Sequence, residues 1–305
     1  MEESEKLNKK TYFFIIAILS IIILLILIDF FIKKTIYLKN PEKGFLYTYA
    51  KVRNIPAITI YGKSINYIDF QNILNKNIYF YNKVYDIDKI PANEYIKDSI
   101  EKKLTIDTII NNLSNKYNIK VTDREIYDET KKYINKFGSE EKLSTDLSNY
   151  YGINIQFFQN NYIKPYILKN KLNNFIKTDE KINKDKFKKI KDIYSKIKND
   201  NFLTIAKFYN EDPYLQESGG ILDWMDKDTL KSIFPTLNDL NITENYVSDI
   251  LRNEDGYYII KILDVDNSII KNQKVKIAVI KVESLNLNDY LQKQYNNIKI
   301  REYIN

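Results

Sequence analysis

Histidine and cysteine are both absent from this 305-residue chain. Without histidine there is no Ser-His-Asp triad, no imidazole general base and no histidine-ligated zinc. Without cysteine there is no disulfide framework, no thiolate metal site and no sulfur nucleophile. Arginine is nearly missing too, confined to Arg53, Arg124, Arg252 and Arg301, although the formal net charge is +7. The excess is therefore lysine, a hydrated point charge, where forked recognition of phosphate or guanine favours arginine. The lysines are also scattered among Asp, Glu and Asn and form no stripe, so the composition reads as a solvated basic surface and argues against nucleic-acid binding.

What the chain does have is one long apolar run. Tyr12 to Ile28 is interrupted only by Ser20, and Phe30-Phe31-Ile32 continues it past Asp29. About 20 such residues at ~1.5 Å each cross a hydrocarbon core of roughly 30 Å. Lys9 and Lys10 flank one end, and Lys33 and Lys34 the other. A cleavable signal peptide needs a shorter apolar core and a small-residue exit, and Asp29-Phe30-Phe31-Ile32-Lys33 offers none. The run is expected to stay attached as a single-pass anchor over 12–32, after a tail of residues 1–11. Flanking charge does not set its direction, since Lys33, Lys34, Lys39 and Lys43 rival Lys6, Lys9 and Lys10.

Beyond the anchor, apolar spacing predicts a short extended stretch at Ala57–Tyr61, a Gly62-Lys63 turn and a helix carrying Phe70, Ile73, Leu74 and Ile78. A second helix is predicted over about 93 to 116. Thr122-Asp123-Arg124-Glu125 is a capping box, with Val121 and Ile126 placed to staple it. Phe157 to Phe175 reads as an amphipathic helix in which Pro165 suggests a kink or a break. The second half changes character. After helices at 185–198 and 202–209, Gly219-Gly220 introduces a strand at Ile221–Met225, followed by a helix around Lys227 to Phe234. Tyr246–Leu251 and Tyr257–Val265 read as strands joined by Asn253-Glu254-Asp255-Gly256, which is hairpin turn chemistry. Helices with a small antiparallel sheet make the fold class α+β. Asp264-Val265-Asp266-Asn267 is superficially like a calcium loop, but it lacks the glycine and distal glutamate and reads as a strand end.

The order of these segments resembles a parvulin-type (PpiC-like) peptidyl-prolyl isomerase domain. Phe202–Tyr209 is like the family's F-x-x-L-A-x-x-Y, and Asp212-Pro213 precedes Ser218-Gly219-Gly220-Ile221-Leu222-Asp223-Trp224, like its D-P and G-G-x-L-x-W. Asn245–Ser248 and Gly256–Lys261 are similar to its G-E-V-S and G-Y-H-I-I-K. More loosely, Ile58–Ile65, Tyr117–Ile126 and Tyr151-Gly152-Ile153 with Phe157-Phe158 resemble the helical domain of membrane-anchored chaperones of the SurA/PpiD kind.

The resemblance implies a helical chaperone-like domain over 33–180, a small parvulin-like domain with an antiparallel sheet over 181–266, and a C-terminal strand and helix, 267–305, completing the fold. It also places the C-terminal bulk on the extracytoplasmic, periplasmic side. By analogy, Asp212 and Tyr258 are the catalytic candidates, and Leu230, Phe234, Trp224 and Met225 the substrate-binding ones. Tyr258 stands where the family has a histidine. Each has a plainer reading: Asp212 before Pro213 is equally a turn residue, Leu230 and Phe234 equally core, and Tyr258 equally a half-buried strand tyrosine. The family's first strand is missing from its expected place, because Asn174–Lys184 is too poor in apolar residues. Such a sheet would expose an edge, so Val275–Val282 is expected to fill the vacancy from the C-terminal side. The expected function is an anchored folding factor for unfolded or proline-containing polypeptide clients, with isomerase activity weak or absent and no metal or cofactor. The alternatives are a working isomerase using Asp212 and Tyr258, or a scaffold binding one fixed partner.

Overall fold

A computed structural model describes residues 2–60, 62–197, 201–237, 242–266, 268, 273–295 and 299–304. Tyr61 and Lys198, each at the end of a segment expected from sequence, and Asn267 lie outside the described residues. The chain opens with helix α1 (Glu2–Lys39), then α2 (Phe45–Val52), strands β1 (Pro56–Ile60) and β2 (Lys63–Asn66), α3 (Tyr67–Val84) and α4 (Asn93–Lys116). Next come α5 (Asp123–Phe137), α6 (Glu140–Tyr151), α7 (Ile155–Phe158) and α8 (Lys164–Thr178). The remainder is α9 (Lys184–Ile197), α10 (Phe202–Tyr209), α11 (Pro213–Glu217), β3 (Met225–Asp226), α12 (Lys227–Ile233), β4 (Leu251–Asn253), β5 (Gly256–Asp266), β6 (Lys274–Glu283), α13 (Leu287–Tyr295) and β7 (Ile300–Glu302).

Two compact units result. One comprises Met1–Asn112, Val121–Pro165 and Asn297–Asn305, the other Leu113–Lys120 and Tyr166–Asn296. In the first, α1 is long and apolar enough over Thr11–Lys39 to cross a membrane, and its side chains through that run are exposed. Its far end is different. Ile36 is fully buried, and Ile32 and Tyr37 pack with Ala50, Ile58, Phe70 and Ile304. The one acid of the run is neutralised locally: Asp29 pairs with Lys33 at 2.6 Å and accepts the Tyr49 hydroxyl at 2.6 Å.

The capping box forms as read. Thr122 Oγ1 accepts the Glu125 N–H and the Glu125 side chain accepts the Thr122 N–H, satisfying two otherwise orphaned donors. At Pro165, where a kink or a break is expected, the helix does not end. A π-helical turn, Gln159–Ile163, joins α7 to α8 instead. Proline lacks an N–H and its ring crowds the carbonyl four residues back, and one widened turn absorbs both defects without ending the helix.

The second unit is built on a four-stranded antiparallel sheet of order β3-β6-β5-β4. The strands expected at 221–225 and 246–251 are shorter than their apolar patterns suggest: Ile221 and Val247 each make a single bridge, to Ala278 and Lys261. Strands β5 and β6 are instead long, paired from Gly256↔Glu283 to Asp266↔Lys274. Strand β5 runs through Asp264 and Asp266, and among the described residues no acidic cluster could hold a metal ion.

Alternation along β5 and β6 gives the sheet two apolar faces, the mark of strands covered on both sides. Tyr257, Ile259, Ala278, Ile280 and Val282 pack against Ile190 and Ile193 of α9 and Phe202 and Ile205 of α10. The opposite face carries Tyr258, Ile260, Ile262, Val275, Ile277 and Val279. Each valine or isoleucine among them, fully buried, contributes roughly 1.5–3 kcal/mol. Gly220 (φ +79°) lies so close to β6 that an added Cβ would stand 2.2 Å from the Val279 carbonyl oxygen. Only glycine allows that approach, which lets the Val279 N–H donate to the Gly220 carbonyl at 2.8 Å.

Candidate functional site

Next to Gly220, two side chains do the work of a neighbouring strand. Buried Asn210 donates through Nδ2 to the Val279 carbonyl at 3.0 Å and accepts the Lys281 N–H on Oδ1 at 2.7 Å. Glu211 accepts the Glu283 N–H at 2.8 Å while binding Lys189 at 2.7 Å and Lys186 at 2.9 Å. Burial alone would raise the Glu211 pKa, but these hydrogen bonds outweigh it and hold the carboxyl below its ordinary 4.5. The upper part of β6 is thereby held in register, and with it the row Val275, Ile277, Val279, Lys281.

Ile277, Val279 and Lys281 of that row and Tyr258 of β5 form the floor of a cavity of about 370 Å³. Leu215, Leu222, Met225, Leu230, Ile233 and Phe234 supply apolar walls. Tyr258, Asn253, Asp255, Asp212 and Lys281 supply the polar rim. Leu230 and Phe234 are 0% and 4% exposed, so both are core residues as well as cup lining. The Phe234 and Tyr258 rings meet edge to face at 5.0 Å, an arrangement aromatic pairs favour. Burial raises the Tyr258 pKa above its ordinary 10, with Lys281 pulling the other way. The phenol is therefore protonated at neutral pH and available as a hydrogen-bond donor.

The structure brings together five of the six residues expected from sequence: Asp212, Tyr258, Leu230, Phe234 and Met225 all line this cavity. Trp224 does not line it and is 42% exposed. Asp212 also does what its place before Pro213 suggests. It caps α11, with Oδ1 accepting the N–H groups of Tyr214 at 2.9 Å and Leu215 at 3.2 Å.

The residue that sequence reasoning missed is Lys281. It lies directly opposite Tyr258 in the antiparallel ladder, and such pairs place their Cβ atoms roughly 4.5–5.5 Å apart on one face. Its ammonium holds Glu283 at 2.9 Å. Burial would lower the Lys281 pKa, but Glu283, Tyr258 and Asp212 together carry it above its ordinary 10.5. The signal was present in the alternation Val275-Lys276-Ile277-Ala278-Val279-Ile280-Lys281, which puts Lys281 on the Val279 face, but only pairing with β5 shows what it faces.

A cup of this kind can enclose a small apolar ring while a hydroxyl, a carboxylate and an ammonium address the backbone beside it. Comparison with curated proteins finds no significant match. The family model described as the PPIC-type PPIASE domain matches residues 161–266, a span that includes every cup residue except those on β6. This stretch, with its helices packed on one face of an antiparallel sheet and its apolar cup on the other, is a PPIC-type PPIASE, or parvulin, domain.

Proposed function

We propose that the protein is a membrane-anchored folding factor whose bulk lies outside the cytoplasm. Its parvulin domain holds proline-containing segments of unfolded or newly translocated polypeptides and isomerises them weakly or not at all. The observation that carries this reading is the cup itself, with an intact apolar floor and a rim without imidazole. Rotation about an X-Pro bond meets a barrier of ~18–20 kcal/mol because amide resonance is lost in the twisted state. A catalyst must grip the ring and favour that twisted state over the planar one. Leu230, Phe234, Met225 and Leu222 serve the grip. The polar half is less free to act, because Asp212 is occupied by the α11 amides. Tyr258 can donate a hydrogen bond but does not exchange a proton near neutrality.

Anchoring is supported by α1 and by the packing of Ile32 and Ile36 into the first unit, which ties the apolar run to a folded body. Client holding draws support from a second hollow, of about 350 Å³ within the first unit, lined mainly by Tyr133, Phe137, Leu143, Leu147, Tyr151 and Phe158. The test is NMR exchange on a short Ala-Pro-Phe peptide with the full chain in non-ionic detergent. Peptide should bind, Met225→Asp should weaken binding at least about tenfold, and cis–trans exchange should speed up by less than about tenfold. Strong acceleration abolished by Asp212→Ala would instead make the protein a working isomerase. Absence of binding would overturn the reading.

A further inference from the structure

The cup is short of positive charge. Among the described residues three carboxylates surround its mouth: Asp212 and Asp255 in the lining and Glu283 at the end of the same β6 row. Against them stand two ammonium groups. Lys177 is committed to Asp255 at 2.8 Å, and Lys281 faces the cavity between Glu283, Asp212 and Tyr258. Removing Lys281 would leave three carboxylates and one ammonium around an apolar hollow.

We propose that Lys281 is a specificity-determining residue that offsets much of this acidic rim, so that the cup's preference for a cationic residue before proline stays small. The proposal rests on the reading of the cup as a proline-segment site. It goes beyond the family match, because Lys281 lies on a strand outside the matched residues 161–266. Three features of the fold put the ammonium there. Alternation on β6 sends residue 281 to the cup face with Val279 and Ile277. The Asn210 clamp holds its backbone, and Glu283 two residues on holds its tip. The side chain is only 17% exposed, so its charge acts on the cup and is only partly screened by water.

The physics gives the sign. A bound client side chain next to proline comes within roughly 7 Å of the rim, where one unit charge alters affinity by about three- to tenfold at an intermediate effective dielectric. Loss of Lys281 strengthens binding of a cationic neighbour and weakens that of an anionic one, so the ratio moves twice.

The experiment compares acetyl-Ala-Glu-Pro-Phe-amide with acetyl-Ala-Lys-Pro-Phe-amide, titrated by NMR or calorimetry against the full chain in non-ionic detergent. For the wild type, whose rim keeps one net negative charge, the lysine peptide should bind tighter by no more than about tenfold. Lys281→Met keeps the apolar stem and should shift the ratio toward the lysine peptide by roughly tenfold or more at low ionic strength. That shift should shrink at ~1 M salt, where the Debye length falls to about 3 Å. Lys281→Arg should restore the wild-type ratio. A purely structural role predicts that Lys281→Met weakens both peptides by one factor, and that result, like an unchanged ratio, would overturn the proposal. If the wild type binds neither peptide, the cup reading fails and takes the proposal with it, and the two failures are told apart by the wild-type titration alone.

Discussion

Each unit of this molecule is completed by a strand from the last stretch of the chain, and the two strands do it differently. Strand β6 is ten residues long, lies inside its sheet and has all but four of its positions buried. Strand β7 has three residues, sits at the edge of the β2-β1-β7 sheet, and leaves Arg301 and Glu302 exposed. It is secured by Ile304 just beyond it, 4% exposed in the core of the first unit. An interior strand must be apolar on both faces and satisfied along both edges, while an edge strand needs one anchor and can stay polar elsewhere. The second unit therefore depends on its late strand for core, register and part of the cup, and the first depends on its own mainly for a cap.

That contrast can be broken by mutation. The largest effect is expected from Val279→Pro, which removes the N–H donated to Gly220 and places a ring inside the sheet. It should cost at least ~3 kcal/mol. Hydrogen exchange should collapse in β5 while the β1 amides keep their protection, and loss of protection in both would mean the units do not respond separately. Ile304→Ala should cost about 2–3 kcal/mol by leaving a cavity in the first unit, and here β1 should lose protection while β5 holds.

The smallest effect sharpens the account of how β6 is held. Glu211→Gln should cost about 1 kcal/mol near neutral pH by weakening the Lys186 and Lys189 contacts. The folded carboxyl titrates below its ordinary 4.5, so its contribution is fully present above that value and is lost as pH falls through the folded pKa. The variant should thus lack the part of the acid destabilisation seen in wild type below about pH 4.5. An identical acid limb in denaturation curves of the two proteins would remove Glu211 from the clamp.

Much of the second unit was legible because its signals are local. Asn253–Gly256 makes the hairpin turn, Gly220 marks the close approach, and Leu230 on α12 and Phe234 at its end pack into the same core. The capping box at Thr122 is local as well. Misjudged elements fail where a neighbour decides. Ile221–Met225 and Tyr246–Leu251 have strand composition, yet they pair only at Ile221 and Met225 and at Val247 and Leu251. Pro165 reads as a kink or a break, and sequence carries no sign that a π turn is the form the distortion takes. Lys281 was passed over for the same reason, since a charge at the end of an apolar strand looks like solvent exposure until Tyr258 is found opposite.

The sequence by itself determined the apolar helix, the absence of imidazole and thiol chemistry and the α+β class, because composition, periodicity and turn chemistry act over a few neighbouring residues; five of the residues that line the cup came from the family resemblance. That Val275–Val282 joins the sheet was expected from sequence, and only the tertiary structure decided its place between β3 and β5, that Asn210 and Glu211 hold its backbone, and that Lys281 stands at the mouth of the cup. Those outcomes depend on pairings between segments about 20 to 70 residues apart, where register, and not local preference, sets which side chains share a face.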